Sequence, residues 1–71
     1  MLIVEKDFDI VINLDKVKEF FLEDFYGCKI CFLYSNQEIR KIGFKNKTEA
    51  ERVFNEIIAN YNSGKKVYEI G

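Results

Sequence analysis

Residues 46–63, NKTEAERVFNEIIANYNS, place Ala50, Val53, Phe54, Ile57, Ile58 and Tyr61 at i, i+3, i+4, i+7, i+8 and i+11. That spacing lines six apolar side chains along one face of a 3.6-residue period, with Arg52, Asn55, Glu56 and Asn60 on the opposite face. A lone helix of this length is not stable in water, so its stripe must be buried against another element. Residues 2–45 are rich in β-branched and aromatic side chains and supply a sheet. The expected fold is α+β: an antiparallel sheet of about four to five strands, one C-terminal helix over about 46–63 packed across it, and a short closing strand.

The N-terminal half reads as strands separated by polar breaks. Leu2-Ile3-Val4 is a short apolar run, and Phe8, Ile10, Ile12 and Leu14 then alternate with polar or smaller residues as one strand. Two strands with a turn at Lys6-Asp7 is the alternative. Val17 to Asp24 fits either a strand or a short helix, and its length and aromatic pair favour the strand. Gly27 supplies a turn. Lys29 to Ser35 directs Ile30, Phe32 and Tyr34 one way and Cys31 and Leu33 the other, as a central strand would. Ile39 to Phe44 returns beside it, with Arg40, Ile42 and Phe44 on one side. Asn46 with Glu49, or Thr48 with Glu51, would cap the helix start, and the spacing does not choose between them. Gly64 marks the helix end, and Val67 to Ile70 alternates as a last strand. No linker or repeat divides the 71 residues, so one domain over 1–71 is expected.

Hydrophobic residues make up 48 % of the chain, enough for a core without metal or disulfide. No signal-peptide core or membrane span is expected, and a cytoplasmic chain would keep its two cysteines reduced. The charge is unevenly spread: residues 1–25 carry seven acids against three lysines, whereas residues 26–71 carry eight bases against five acids.

INLDKVKEFFLED and TEAERVFNEIIANYNSGKKVYEIG together resemble a group of small uncharacterised proteins from low-GC Gram-positive bacteria and their phages. The matching pieces are Asn13-Leu14-Asp15-Lys16-Val17, Leu22-Glu23-Asp24, Thr48 to Tyr61, and Gly64 to Ile70. Cys28, Cys31 and the doubled Phe20-Phe21 depart from the group's pattern. The resemblance implies a phage or prophage-type protein without assigned activity.

Cys28-Lys29-Ile30-Cys31 is the one motif that suggests chemistry. Zinc needs four ligands, and the chain has no histidine and no second cysteine pair. Residues three apart on a strand also point to opposite faces, so one buried thiol and one near a turn are expected. With no histidine and no glycine-rich phosphate loop, neither enzymatic activity nor a cofactor is expected. Two surfaces remain. Phe21, Phe25, Tyr26 and Tyr68 fall outside the pattern that supplies the core and are candidates for a protein-interaction surface, for self-association as a homodimer or for an unidentified partner. Arg40, Lys41, Lys45 and Lys47, with Tyr34, form the alternative site, a basic hairpin that would bind a small ligand, such as a nucleotide signal, or nucleic acid. The acidic balance disfavours nucleic acid as a partner, and no membrane partner is expected.

Overall fold

The computed structural model describes residues 1–70. Strands β1 (Leu2–Glu5), β2 (Ile10–Asn13), β3 (Val17–Glu23), β4 (Cys28–Tyr34) and β5 (Ile39–Phe44) precede one helix, α1 (Lys47–Asn62), and a final strand, β6 (Val67–Ile70). The α+β class and the single long helix are as expected. The expected single sheet is not formed: the strands divide into two three-stranded sheets, ordered β2-β1-β6 and β3-β4-β5.

The division has a simple origin. The polar stretch after β1 forms a four-residue turn, Lys6 to Asp9, so β1 folds back on β2 with Ile3 opposite Ile12. The expected longer strand beginning at Phe8 is thereby shortened, and Phe8 lies in the turn, 76 % exposed. Leu14 to Lys16 then makes one 3-10 turn, in which the Asn13 side chain accepts from the Asp15 N–H. This turn directs β3 away from the first sheet. The closing strand β6 does not extend β3-β4-β5; it pairs parallel with β1, Ile3 opposite Tyr68.

Each sheet buries one face. Ile3, Ile12 and Tyr68 from the first sheet meet Ile30, Phe32 and Ile42 from the second, and Val53 and Ile57 of α1 complete the same core. Phe32 is fully buried and stacks on Phe20, which also touches Phe54. The predicted helical stripe divides accordingly. Ala50, Val53 and Ile57 are buried, whereas Ile58 and Tyr61 lie on the flank towards β3 and stay partly exposed. The outer face of β2-β1-β6 carries Leu2, Val11 and Val67, all substantially exposed.

Asn46 is the helix cap: its side-chain oxygen accepts the Glu49 N–H at 2.8 Å. At the other end Gly64 takes φ +80°, the left-handed position at which a Cβ is disfavoured. Asn46→Ala should therefore lower the free energy of unfolding by about 1 kcal/mol, and Thr48→Ala by well under half of that. Urea denaturation of the two variants checks the choice of cap.

Candidate binding cleft

Between the two sheets, at the end carrying the turns after β1 and β3, lies a cleft of about 930 Å³. Its size falls within the range of about 300–1,000 Å³ common to ligand sites. Three elements build it. One wall is the first sheet and its turn, with Glu5, Asp7, Phe8, Tyr68 and Glu69. The facing wall is the second sheet, with Tyr26, Lys29, Phe44 and Lys45. The first half of α1 lies between them, contributing Glu49, Arg52 and Glu56. The cleft thus has an acidic wall and a basic wall.

The helix side is organised by one carboxylate. Arg52 and Glu56 are four apart on α1, which brings the guanidinium to 2.7 Å from Glu56 Oε2. Glu56 Oε1 accepts the Tyr68 hydroxyl at 2.6 Å. Held from both sides, the Glu56 carboxyl lies below its ordinary value, first through the Tyr68 hydrogen bond and then through Arg52. Burial, and then the same hydrogen bond, pushes the Tyr68 phenol up to about 12. On the acidic wall, Lys6 forms an ion pair with Glu69 and holds that carboxyl below its ordinary value.

Among the described residues Glu5 is the buried charged side chain, with 5 % of the residue's surface exposed. It shares the inward face of β1 with Ile3, and its Oε1 accepts the Asp7 N–H. No lysine or arginine among the described residues forms an ion pair with it.

Two aromatic side chains stand on the lips. Tyr26 is 97 % exposed and takes φ +57°; on the facing turn, Phe8 precedes Asp9 at φ +54°. Both turns use the left-handed region, which aspartate tolerates and a tyrosine does not favour.

The sequence-predicted surfaces are only partly brought together. Tyr26 and Tyr68 both line the cleft, but Tyr68 is buried and faces inward. Phe25 is exposed beside Tyr26 in the turn, and Phe21 lies on the outer face of the second sheet, opposite Cys31. The basic hairpin is dispersed. Arg40 pairs with Glu38 at 3.1 Å, Lys41 with Glu23 at 3.2 Å, and Lys47 with Asp24 and Glu51 at 3.9 Å. Tyr34 sits at the far end of β4, and Lys45 alone of this set lines the cleft. Phe8, Glu5 and Arg52 belong to the site and were not expected there. The signal for Phe8 was its place between two aspartates, a turn composition rather than a strand one.

The C-x-x-C pair is divided by the pleat. Cys28 stands opposite Phe44 and shares the inward face with Ile30; Cys31 stands opposite Lys41 on the outer face. Cys31 is nevertheless buried among its neighbours, and its thiol donates to Glu23 Oε2 at 3.0 Å. Burial, then that hydrogen bond, pushes the thiol up to about 11, the reverse of nucleophilic activation. Among the described residues no group of three or more Cys, Asp or Glu side chains is arranged to hold a metal ion, and no helix is long and apolar enough to cross a membrane.

Comparison of the chain with protein families, with curated proteins and with solved structures gave no match.

The Tyr68–Glu56 bond predicts a pH dependence at both ends. The raised phenol contributes stability that is fully present below about pH 10 and is lost as pH rises through about 12. The lowered Glu56 carboxyl contributes stability that is present above its ordinary 4.5 and is lost as pH falls through its depressed folded value. Tyr68→Phe should cost about 1 kcal/mol at neutral pH and flatten the alkaline limb. Chemical denaturation of both proteins across pH measures this directly.

Proposed function

We propose that this chain is a non-enzymatic interaction module that holds a segment of a partner protein in the cleft, with Tyr26 and Phe8 as its aromatic anchors. The observation that carries the reading is Tyr26. A left-handed conformation costs an L-residue about 1–2 kcal/mol, and a ring that is 97 % exposed gains no packing to offset it. Backbone strain of this kind concentrates where ligands are held. Exposed aromatic side chains are also the residues that most often dominate a protein interface. Phe8 is also exposed on the facing turn, and the two rings flank one concave site.

A phage or prophage-type protein acting in the cytoplasm is part of this proposal and rests on the resemblance of the chain to that group. A second reading, a small anionic ligand such as a nucleotide, is favoured by one observation: Lys29, Lys45 and Arg52 all reach the cleft. Against it, Glu5, Asp7, Glu49, Glu56 and Glu69 line the same space, and Arg52 is already engaged by Glu56.

Selection of a random peptide library displayed on phage separates the readings. Peptides should enrich on the protein and bind Phe8→Ala and Tyr26→Ala at least tenfold more weakly, as loss of an anchor worth about 2 kcal/mol requires. Peptides that bind both variants undiminished would remove the cleft from the proposal. A copurifying mass of nucleotide size in native mass spectrometry would favour the anionic ligand. Tyr26→Asn gives a complementary readout: it should raise the stability of the free protein by about 1 kcal/mol, because asparagine tolerates the left-handed region, while weakening peptide binding.

Self-association is proposed separately, on the aliphatic outer face formed by Leu2, Val11 and Val67. The charge on that face is Glu69, which is paired with Lys6, and β2 is a free sheet edge beside it, so two copies could pack by a two-fold axis. Sedimentation velocity should then show a dimer that Val11→Lys converts to monomer. A monomer across the micromolar range for the unaltered protein would end this part of the proposal.

A further inference from the structure

Glu5 is a buried carboxylate to which the chain gives one hydrogen bond and no cation. A carboxylate removed from water needs either a cation or several N–H donors, since an uncompensated buried charge costs several kcal/mol. Glu5 is 95 % removed from solvent by the 5 % exposure of its residue, and it accepts one hydrogen bond, from the Asp7 N–H. Among the described residues no buried side-chain oxygen lacks a partner, so its second oxygen is the one that keeps access to the cleft it lines. Arg52 is held by Glu56, the neighbouring Lys6 by Glu69, and Lys29 and Lys45 belong to the facing wall and form no ion pair with Glu5.

We propose that Glu5 is the receptor for a cationic side chain, a lysine or arginine presented by the bound segment. The inference rests on the reading of the cleft as a peptide-binding site and specifies the chemistry of what enters it. Asp7 adds a second negative charge on the same wall. The aromatic lips, Phe8 and Tyr26, suit the alkyl stem of such a residue, which packs on apolar surface while its charged end goes deeper. An apolar side chain in the same place would seal Glu5 from water without a partner. An acidic one would meet Glu5 and Asp7 before it reached Lys29 and Lys45.

The test is an NMR titration of the isotopically labelled protein with three small probes: N-acetyl-lysine methylamide, its norleucine counterpart, and its glutamate counterpart. The lysine probe should shift the backbone amides of Glu5, Asp7 and Gly27 saturably, and the norleucine probe at least tenfold more weakly. In Glu5→Gln, which keeps the acceptor for the Asp7 N–H, the lysine preference should vanish, and the thermal midpoint should stay level or rise because a buried charge has been removed. Equal binding of the lysine and norleucine probes would overturn the role of Glu5 and leave the cleft as a binding site. Preferred binding of the glutamate probe would overturn it in favour of the basic wall. Absence of any shift at the cleft would overturn it as well, and the peptide selection above then decides separately whether the cleft binds anything. A marked loss of stability in Glu5→Gln would show a structural carboxylate and likewise end the proposal.

Discussion

The parallel pairing of β1 with β6 is the constraint on which the rest of the structure depends. Leu2 stands opposite Val67 and Glu5 opposite Ile70, so two four-residue strands from opposite ends of the chain close a loop that contains nearly everything else. A parallel pair requires a crossover, and here the crossover is the second sheet together with the helix. The entropy of closing so long a loop grows only slowly with its length, but it must be offset by contacts that form once closure is complete. Those contacts are specific. Ile3 meets Tyr68 within the sheet, and the Tyr68 hydroxyl reaches Glu56 on α1, so one side chain fixes the last strand to both the first strand and the helix.

Closure also explains why there is a cleft at all. Had β6 extended the β3-β4-β5 sheet, the helix would have packed on one broad surface and its two flanks would have been equivalent. With two small sheets, the helix fills the space between them along Ala50, Val53 and Ile57 and leaves openings on either side. One opening, towards β3, is lined by Val17, Phe20, Phe54, Ile58 and Tyr61 and is mainly apolar. The other opens between the two sheets and collects charge from three separate segments. The uneven charge of the two halves of the sequence reappears there as an acidic wall facing a basic one, because the N-terminal turn and the β4–β5 hairpin end at the same side of the molecule.

Much of this was legible one element at a time. The 3.6-residue period set the helix within a residue of its ends, and the two-residue period set the inward faces of β4 and β5 correctly, Arg40 included. The partition into two sheets was not legible, because a four-residue strand has too little pattern to specify a partner, and the partner of β1 lies at the other end of the chain. Tyr68 shows the same limit at a single residue. Alternation in Val67-Tyr68-Glu69-Ile70 says that Tyr68 and Ile70 share a face, but not which face is covered; the position of β6 and the acceptor on Glu56 decide that. The basic hairpin failed as a cluster for a related reason. On a strand, Arg40 and Lys41 point to opposite sides, and each has an acidic neighbour, Glu38 two residues before Arg40 and Glu23 on β3, beyond β4, for Lys41.

The two openings differ in backbone conformation and in buried charge. The apolar groove beside β3 contains no strained backbone and no buried charge, so an empty groove there costs little beyond some exposed hydrocarbon. The cleft between the sheets holds both kinds of uncompensated feature. Tyr26 occupies a left-handed conformation with its ring in solvent, and Glu5 is buried with a single hydrogen bond and no cation. The left-handed Tyr26 lowers the stability of a domain small enough to have little to spare, and one substitution would relieve it. Glu5 at the end of β1 and Tyr26 in the turn after β3 are far apart in sequence, and the fold brings both to this one concavity.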